Sequence, residues 1–190
     1  MANLEIIAEA AQGYEGKPEL ATLLVMAAAR AKADGVKFQL VYADELATPD
    51  YQHYALFKSL EMPDQTWAGI RALAEQFGIA LYLDIFGSRS LTLAQQLGCP
   101  GIKIHSTDMA NFGLLQEVAS SAIPLVLLST AGCSDAEVKE TLLLLKKKRV
   151  VLLHGFQGYP TPIAANDILR MRRLRQLLDE SKHSGVIGFA

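Results

Sequence analysis

The chain has little of what several large protein classes require. No apolar stretch approaches the roughly 18 uninterrupted residues of a membrane span, so no membrane partner is expected. Only 2 cysteines occur in 190 residues, Cys99 and Cys133, and they have no metal-ligand spacing. They predict reduced thiols in a cytoplasmic protein. Basic surplus is absent, with 18 Lys and Arg against 20 Asp and Glu, which excludes the electrostatic footprint of a nucleic-acid binder. The opening Met1-Ala2-Asn3-Leu4-Glu5 has no basic segment leading into an apolar one, so no signal peptide is expected there. Low-complexity tracts and linker-like segments are also missing. At 51% hydrophobic and 20% charged, the composition is that of a folded domain and not a disordered one.

What is present is alternation. Three times between Gly101 and Pro162 an apolar run ends in polar residues. Gly101-Ile102-Lys103-Ile104 runs into His105-Ser106-Thr107-Asp108, and Pro124-Leu125-Val126-Leu127-Leu128 runs into Ser129-Thr130. Val150-Val151-Leu152-Leu153 opens into His154-Gly155-Phe156-Gln157-Gly158-Tyr159. Buried parallel strands read as continuous apolar runs, and ligands of α/β proteins sit beyond their carboxyl ends. The spacing predicts strands at 4–9, 36–40, 79–83, 101–104, 124–128, 150–153 and 185–189. Helices are expected at 18–33, from Asp64 through the stripe Trp67, Ile70, Leu73 and Ala74, and at 91–97, 111–119, 135–147 and 167–178. The run Lys146-Lys147-Lys148-Arg149 is read as cations at the carbonyl end of the 135–147 helix.

Seven βα units without a reversal predict an α/β fold of the (β/α) TIM-type barrel, incomplete at its carboxyl end with about seven strands present. Residues 1–190 are read as one such domain. Side chains alternate along a strand, so Lys37 and Gln39 share one face, as do Lys103 and His105. Two ammonium groups with Ser106 and Ser129 suit an anion, a phosphate or a carboxylate. Glu9 and Asp108 add carboxylates for general acid/base work or for a metal-bound water. Beside these stand plainer readings. A strand-end lysine can be a solvated rim residue, Ser129-Thr130 a helix cap, and His154 a hydrogen-bonded core histidine.

The residues Ile7-Ala8-Glu9, Val36-Lys37-Phe38-Gln39, Lys103-Ile104-His105-Ser106, Leu128-Ser129-Thr130 and Leu152-Leu153-His154, followed by Tyr159-Pro160-Thr161-Pro162, occur in a distinctive order and spacing. In that order and spacing the chain resembles the sialic acid synthase family over nearly its whole length. The resemblance implies condensation of phosphoenolpyruvate with N-acetylmannosamine or a related N-acylated aldose, releasing phosphate, with a divalent metal (Mn or Mg) and in a homodimer. It implies that Lys37, Gln39, Lys103, Ser106, Ser129, Gln157 and Tyr159 bind substrate, with Glu9 and Asp108 as catalytic carboxylates.

Several positions depart from that pattern. Gly13-Tyr14 stands where the family has Asn-His, and Leu83-Asp84-Ile85-Phe86 replaces a Ser-Thr-Pro-Phe pattern. A carboxylate thereby takes the place of a phosphate-binding hydroxyl, and like charges about 4 Å apart repel by roughly 4 kcal/mol at an effective dielectric near 20. Asp84 therefore opposes phosphate unless it turns away, is protonated or meets a cation. The family's metal-binding histidines and its antifreeze-like domain would follow Ala190, so these 190 residues are expected to hold no metal and to show little synthase activity. The alternatives are a catalytically degenerate phosphate- or sugar-binding or assembly protein of the same fold, and a Schiff-base aldolase. Nothing in the sequence near Lys37 or Lys103 supplies an evident pKa-lowering arrangement for the aldolase.

Overall fold

The computed structural model describes residues 4–158 and 160–190. Seven strands lie in one sheet in chain order: β1 (Ile7–Ala11), β2 (Gly35–Gln39), β3 (Ala80–Asp84), β4 (Gly101–Ile104), β5 (Leu125–Ser129), β6 (Arg149–His154) and β7 (Val186–Phe189). The ladders β1–β2, β2–β3, β5–β6 and β6–β7 are parallel. Sequential parallel strands separated by helices are the succession of a TIM-type barrel, with seven strands among the described residues. The chain divides into two compact units, the first ending at Ile102 and the second starting at Lys103.

In the first unit, α1 (Pro18–Arg30) starts with proline in its first turn, where no backbone donor is needed. It ends earlier than the apolar spacing predicts. Lys32 turns left-handed at φ 62°, and the Lys32 and Ala33 amides close back on Ala29 and Ala28. Two short helices missing from the sequence reading follow β2, namely α2 (Ala43–Leu46) and α3 (Tyr54–Leu60). Gly16 makes the close approach to α3. At φ +69° it lies so near Ser59 that an added Cβ would stand 2.2 Å from that residue's carbonyl oxygen. Helices α4 (Asp64–Gln76) and α5 (Ser88–Gln96) flank β3 in the chain. Helix α5 starts before the predicted 91 because the Ser90 hydroxyl accepts from the Phe86 and Gly87 amides. The core of this unit centres on Tyr14, Phe38 and Trp67, whose rings meet edge to face with centroids 5.3 to 6.0 Å apart.

In the second unit, a 3-10 turn (Ser106–Asp108) leads to α6 (Phe112–Ser120), followed along the chain by α7 (Asp135–Leu144), a second 3-10 turn (Ile163–Ala165) and α8 (Arg170–Glu180). Leu115, Val126, Leu128, Leu152 and Leu174 form its core. Helix α7 opens with a capping box. Ser134 Oγ accepts from the Glu137 amide, and the Glu137 carboxylate accepts from the Ser134 amide at 2.7 Å. Ser134→Ala is expected to cost about 1 kcal/mol, read as a lower urea midpoint at unchanged slope.

The basic run corrects one expectation. Helix α7 ends at Leu144, so Lys146 to Arg149 lie beyond its last residue. Lys148 is buried instead, with its ammonium donating to the Ser121 and Ile123 carbonyls at 2.5 and 2.9 Å. It thus serves the carbonyl end of α6, and burial pushes its pKa down.

Candidate functional site

At the carboxyl ends of β1, β2 and β3, parallel register sets Glu9 beside Lys37 and Gln39 beside Asp84. The Lys37 ammonium lies 2.7 Å from Asp84 Oδ1 and 2.5 Å from Glu9 Oε2. Asp84 is fully buried and the Lys37 side chain is 6% exposed, whereas the Glu9 side chain is 51% exposed. Asp84 has therefore met a cation, which resolves the conflict raised by its sequence position. A buried carboxylate is tolerable only when paired in this way. Both carboxylates close on the Lys37 ammonium, so its charge is already offset and is less available to an anion.

Local backbone aims Glu9. The β1–β2 register slips between Glu9 and Ala11, and Ala11 adopts φ 46°. A bulge of this kind redirects a side chain at a strand end. The Ala11 amide then donates to Glu9 Oε1 at 3.1 Å. Gln39 is fixed through its backbone, because its carbonyl accepts from the Tyr14 hydroxyl at 3.0 Å. Burial raises the Tyr14 pKa, keeping it a neutral donor.

In the second unit Lys103 is 8% exposed, with its Nζ 3.2 Å from His105 Nε2. Neither buried lysine is the solvated rim residue of the plainer reading. Ser106 donates to Gln157 Oε1 at 3.3 Å, so residues 51 positions apart meet. Asp108 lies in the 3-10 turn and accepts from the Asn111 amide nitrogen at 3.4 Å. Ser129 is the last, half-buried residue of β5. Thr130 is buried and donates to the Leu153 carbonyl at 2.9 Å, while the α7 cap is Ser134, so Ser129-Thr130 is not that helix's cap. His154 is 2% exposed and donates Nε2–H to the Asn166 carbonyl at 2.6 Å, the role of a core histidine. Tyr159 lies outside the described residues.

A cavity of about 390 Å³ opens within this unit, lined by Cys133, His154, Gln157, Asn166, Asp167 and Arg170 among others. The sequence reading missed Cys133, Asn166 and Arg170 as lining groups, because none ends an apolar run. Burial, then the Glu137 carboxylate, pushes the Cys133 thiol up, against the pull of Arg170. Among the described residues no three His, Cys, Asp or Glu side chains stand together as a metal ion would require. The described residues therefore do not fit a divalent-metal centre. No described helix is long and apolar enough to cross a membrane.

The NeuB family profile matches residues 24–186. N,N'-diacetyllegionaminic acid synthase of Legionella pneumophila is 31% identical over 92% of this chain and 54% of its own length. Spore coat polysaccharide biosynthesis protein SpsE of Bacillus subtilis is 28% identical over 97% and 52%. The chain thus spans about half the length of these curated relatives. The crystal structure of N-acetylneuraminic acid synthetase from Leptospira borgpetersenii, in complex with citrate, matches with a TM-score of 0.88 at 25% identity, covering 100% of this chain and 68% of that one. Phospho-2-dehydro-3-deoxyheptonate aldolase of Thermotoga maritima, at 14% identity and a TM-score of 0.62, shares the fold alone. By the profile match across most of its length, the chain belongs to the NeuB family.

Proposed function

We propose that the chain carries the substrate-binding residues of a sialic acid synthase-like enzyme. In this reading phosphoenolpyruvate condenses with N-acetylmannosamine or a related N-acylated aldose and phosphate is released. The observation that carries it is the set Lys103, Ser106, Ser129 and Gln157, all at or just beyond strand carboxyl ends of one unit of a NeuB-family chain. Lys103 offsets substrate charge, while the two hydroxyls and the carboxamide orient phosphate and carboxylate oxygens. The enol carbon attacks the aldehyde carbon, and water adds to the resulting oxocarbenium carbon. The carbon–oxygen bond to phosphate then breaks. Asp108 positions that water and accepts its proton, and Glu9 is the second carboxylate of the reaction. Tyr159 completes the substrate-binding set by its place in the motif.

One observation favours a second reading, a catalytically degenerate binding protein of the same fold. Lys37, a substrate lysine by resemblance, is held by Asp84 and Glu9. Assaying phosphate release from phosphoenolpyruvate, with N-acetylmannosamine and manganese present, separates the two. Release that requires both substrates supports condensation. Saturable binding without release supports the second reading.

A further inference from the structure

Helix α1 carries only three polar residues, Glu19, Thr22 and Arg30, and is apolar around the rest of its circumference. A helix of that kind is ordinarily covered on every side. Here Ala21, Val25 and Ala28 are buried, while the opposite side is open. Along that open side run Glu19, Leu23, Met26 and Arg30, at i, i+4, i+7 and i+11, the recurrence of a coiled-coil seam. Glu19 and Arg30 are exposed, Leu23 is 58% exposed and Met26 is half-buried, with the exposed Ala27 beside them. Lone exposed leucines are ordinary, but this is a row, apolar between charges of opposite sign. The helix dipole accounts for Glu19 at the amino end and Arg30 at the carboxyl end. It does not account for the two apolar side chains that share their line.

The row is its own complement. When two copies of α1 lie antiparallel about a two-fold axis, Glu19 faces the partner's Arg30 and Leu23 faces the partner's Met26, and the same contacts recur in reverse. A parallel pairing would instead set like charges against each other at both ends. Both charges are available, since neither Glu19 nor Arg30 forms an ion pair among the described residues.

We propose that the outer face of α1 is a docking surface for a second copy of this chain, paired antiparallel through Glu19, Leu23, Met26 and Arg30. At 13 residues the helix is about 20 Å long, and one such pair falls short of the roughly 1,200 Å² of a stable interface. The dimer is therefore weak and dissociates on dilution. Opposite charges at both ends set the register and disfavour the parallel arrangement. None of the proposed substrate-binding residues lies on this face, so the surface stands or falls apart from the proposed reaction.

Sedimentation velocity over a dilution series of the full chain reads the dimer directly. Wild type is expected to shift from monomer to dimer as concentration rises. Leu23→Glu places a charge in the apolar middle of the seam and should raise the dissociation constant at least about tenfold, at an unchanged urea midpoint. Glu19→Arg and Arg30→Glu each set like charges opposite one another at both ends, and each should weaken the dimer about tenfold. Combining the two changes restores opposite pairs, so the double variant should return to within about threefold of wild type. The double variant also opposes the helix dipole, so a merely structural role predicts that it fares worst of the three. A wild type that stays monomeric to about 1 mM would overturn the proposal. So would a dimer indifferent to Leu23→Glu, which must form on another surface, or single reversals that leave association unchanged, as parallel pairing predicts. A double variant no better than either single change would overturn it as well.

Discussion

Lys37→Met is expected to lower stability by about 3–5 kcal/mol, because it removes the cation from a buried pair and leaves the carboxylate behind. Asp84 has no exposed surface, and its Oδ1 sits 2.7 Å from the Lys37 ammonium. Deprived of that ammonium, the buried Asp84 carboxylate must either stay charged or take up a proton, and each route disfavours the native state. Glu9 belongs to the same cluster but is half-solvated, so Glu9→Gln should cost about 1 kcal/mol or less. The double change Lys37→Met with Asp84→Leu should recover most of the loss, since apolar replacement of a buried pair is often neutral. Urea unfolding midpoints at constant slope provide the measurement. A Lys37→Met protein within 1 kcal/mol of wild type, by the same extrapolation, would show that the pair does not hold the strand ends together.

Asp84→Ser is expected to tighten phosphoenolpyruvate binding by at least about tenfold, equivalent to 1.4 kcal/mol. The upper bound comes from a like charge at about 4 Å, roughly 4 kcal/mol at an effective dielectric near 20. The change removes one of the two carboxylates that close on Lys37, and it places a hydroxyl where the family pattern has them. Lys37 keeps Glu9 as partner, so the fold should tolerate the change better than it tolerates Lys37→Met. Calorimetric titration reads the affinity directly. An unchanged or weaker affinity in a folded Asp84→Ser protein would show that this carboxylate does not oppose the ligand.

Where a physical signal was continuous along the chain, the sequence was readable. Apolar runs such as Leu125–Ser129 and Arg149–His154 marked buried parallel strands, and the order of seven such runs pointed to the barrel fold. Helix ends were less legible because backbone closure at Lys32 and the Ser90 hydroxyl decide them, not apolar spacing. Helices α2 and α3 escaped because at 4 and 7 residues they are too short to show a helical period. At the site, residue types were legible and pairings were not. The Glu9–Lys37–Asp84 cluster depends on the register of three strands, and Ser106 meets Gln157 across 51 residues. Tyr14, a departure from the family's Asn-His, is a core aromatic whose hydroxyl fixes β2, a role fixed only by tertiary packing.

In the proposed reading this NeuB-family chain holds phosphoenolpyruvate on Lys103 and the neighbouring hydroxyls. The most direct test of that reading is calorimetric titration of phosphoenolpyruvate into wild type, Lys103→Met and Ser129→Ala, each checked for a native urea midpoint. Saturable binding by wild type, abolished in Lys103→Met and weakened in Ser129→Ala, is the predicted result. A folded wild type that gives no binding heat, or a Lys103→Met protein that binds as tightly as wild type, would contradict it.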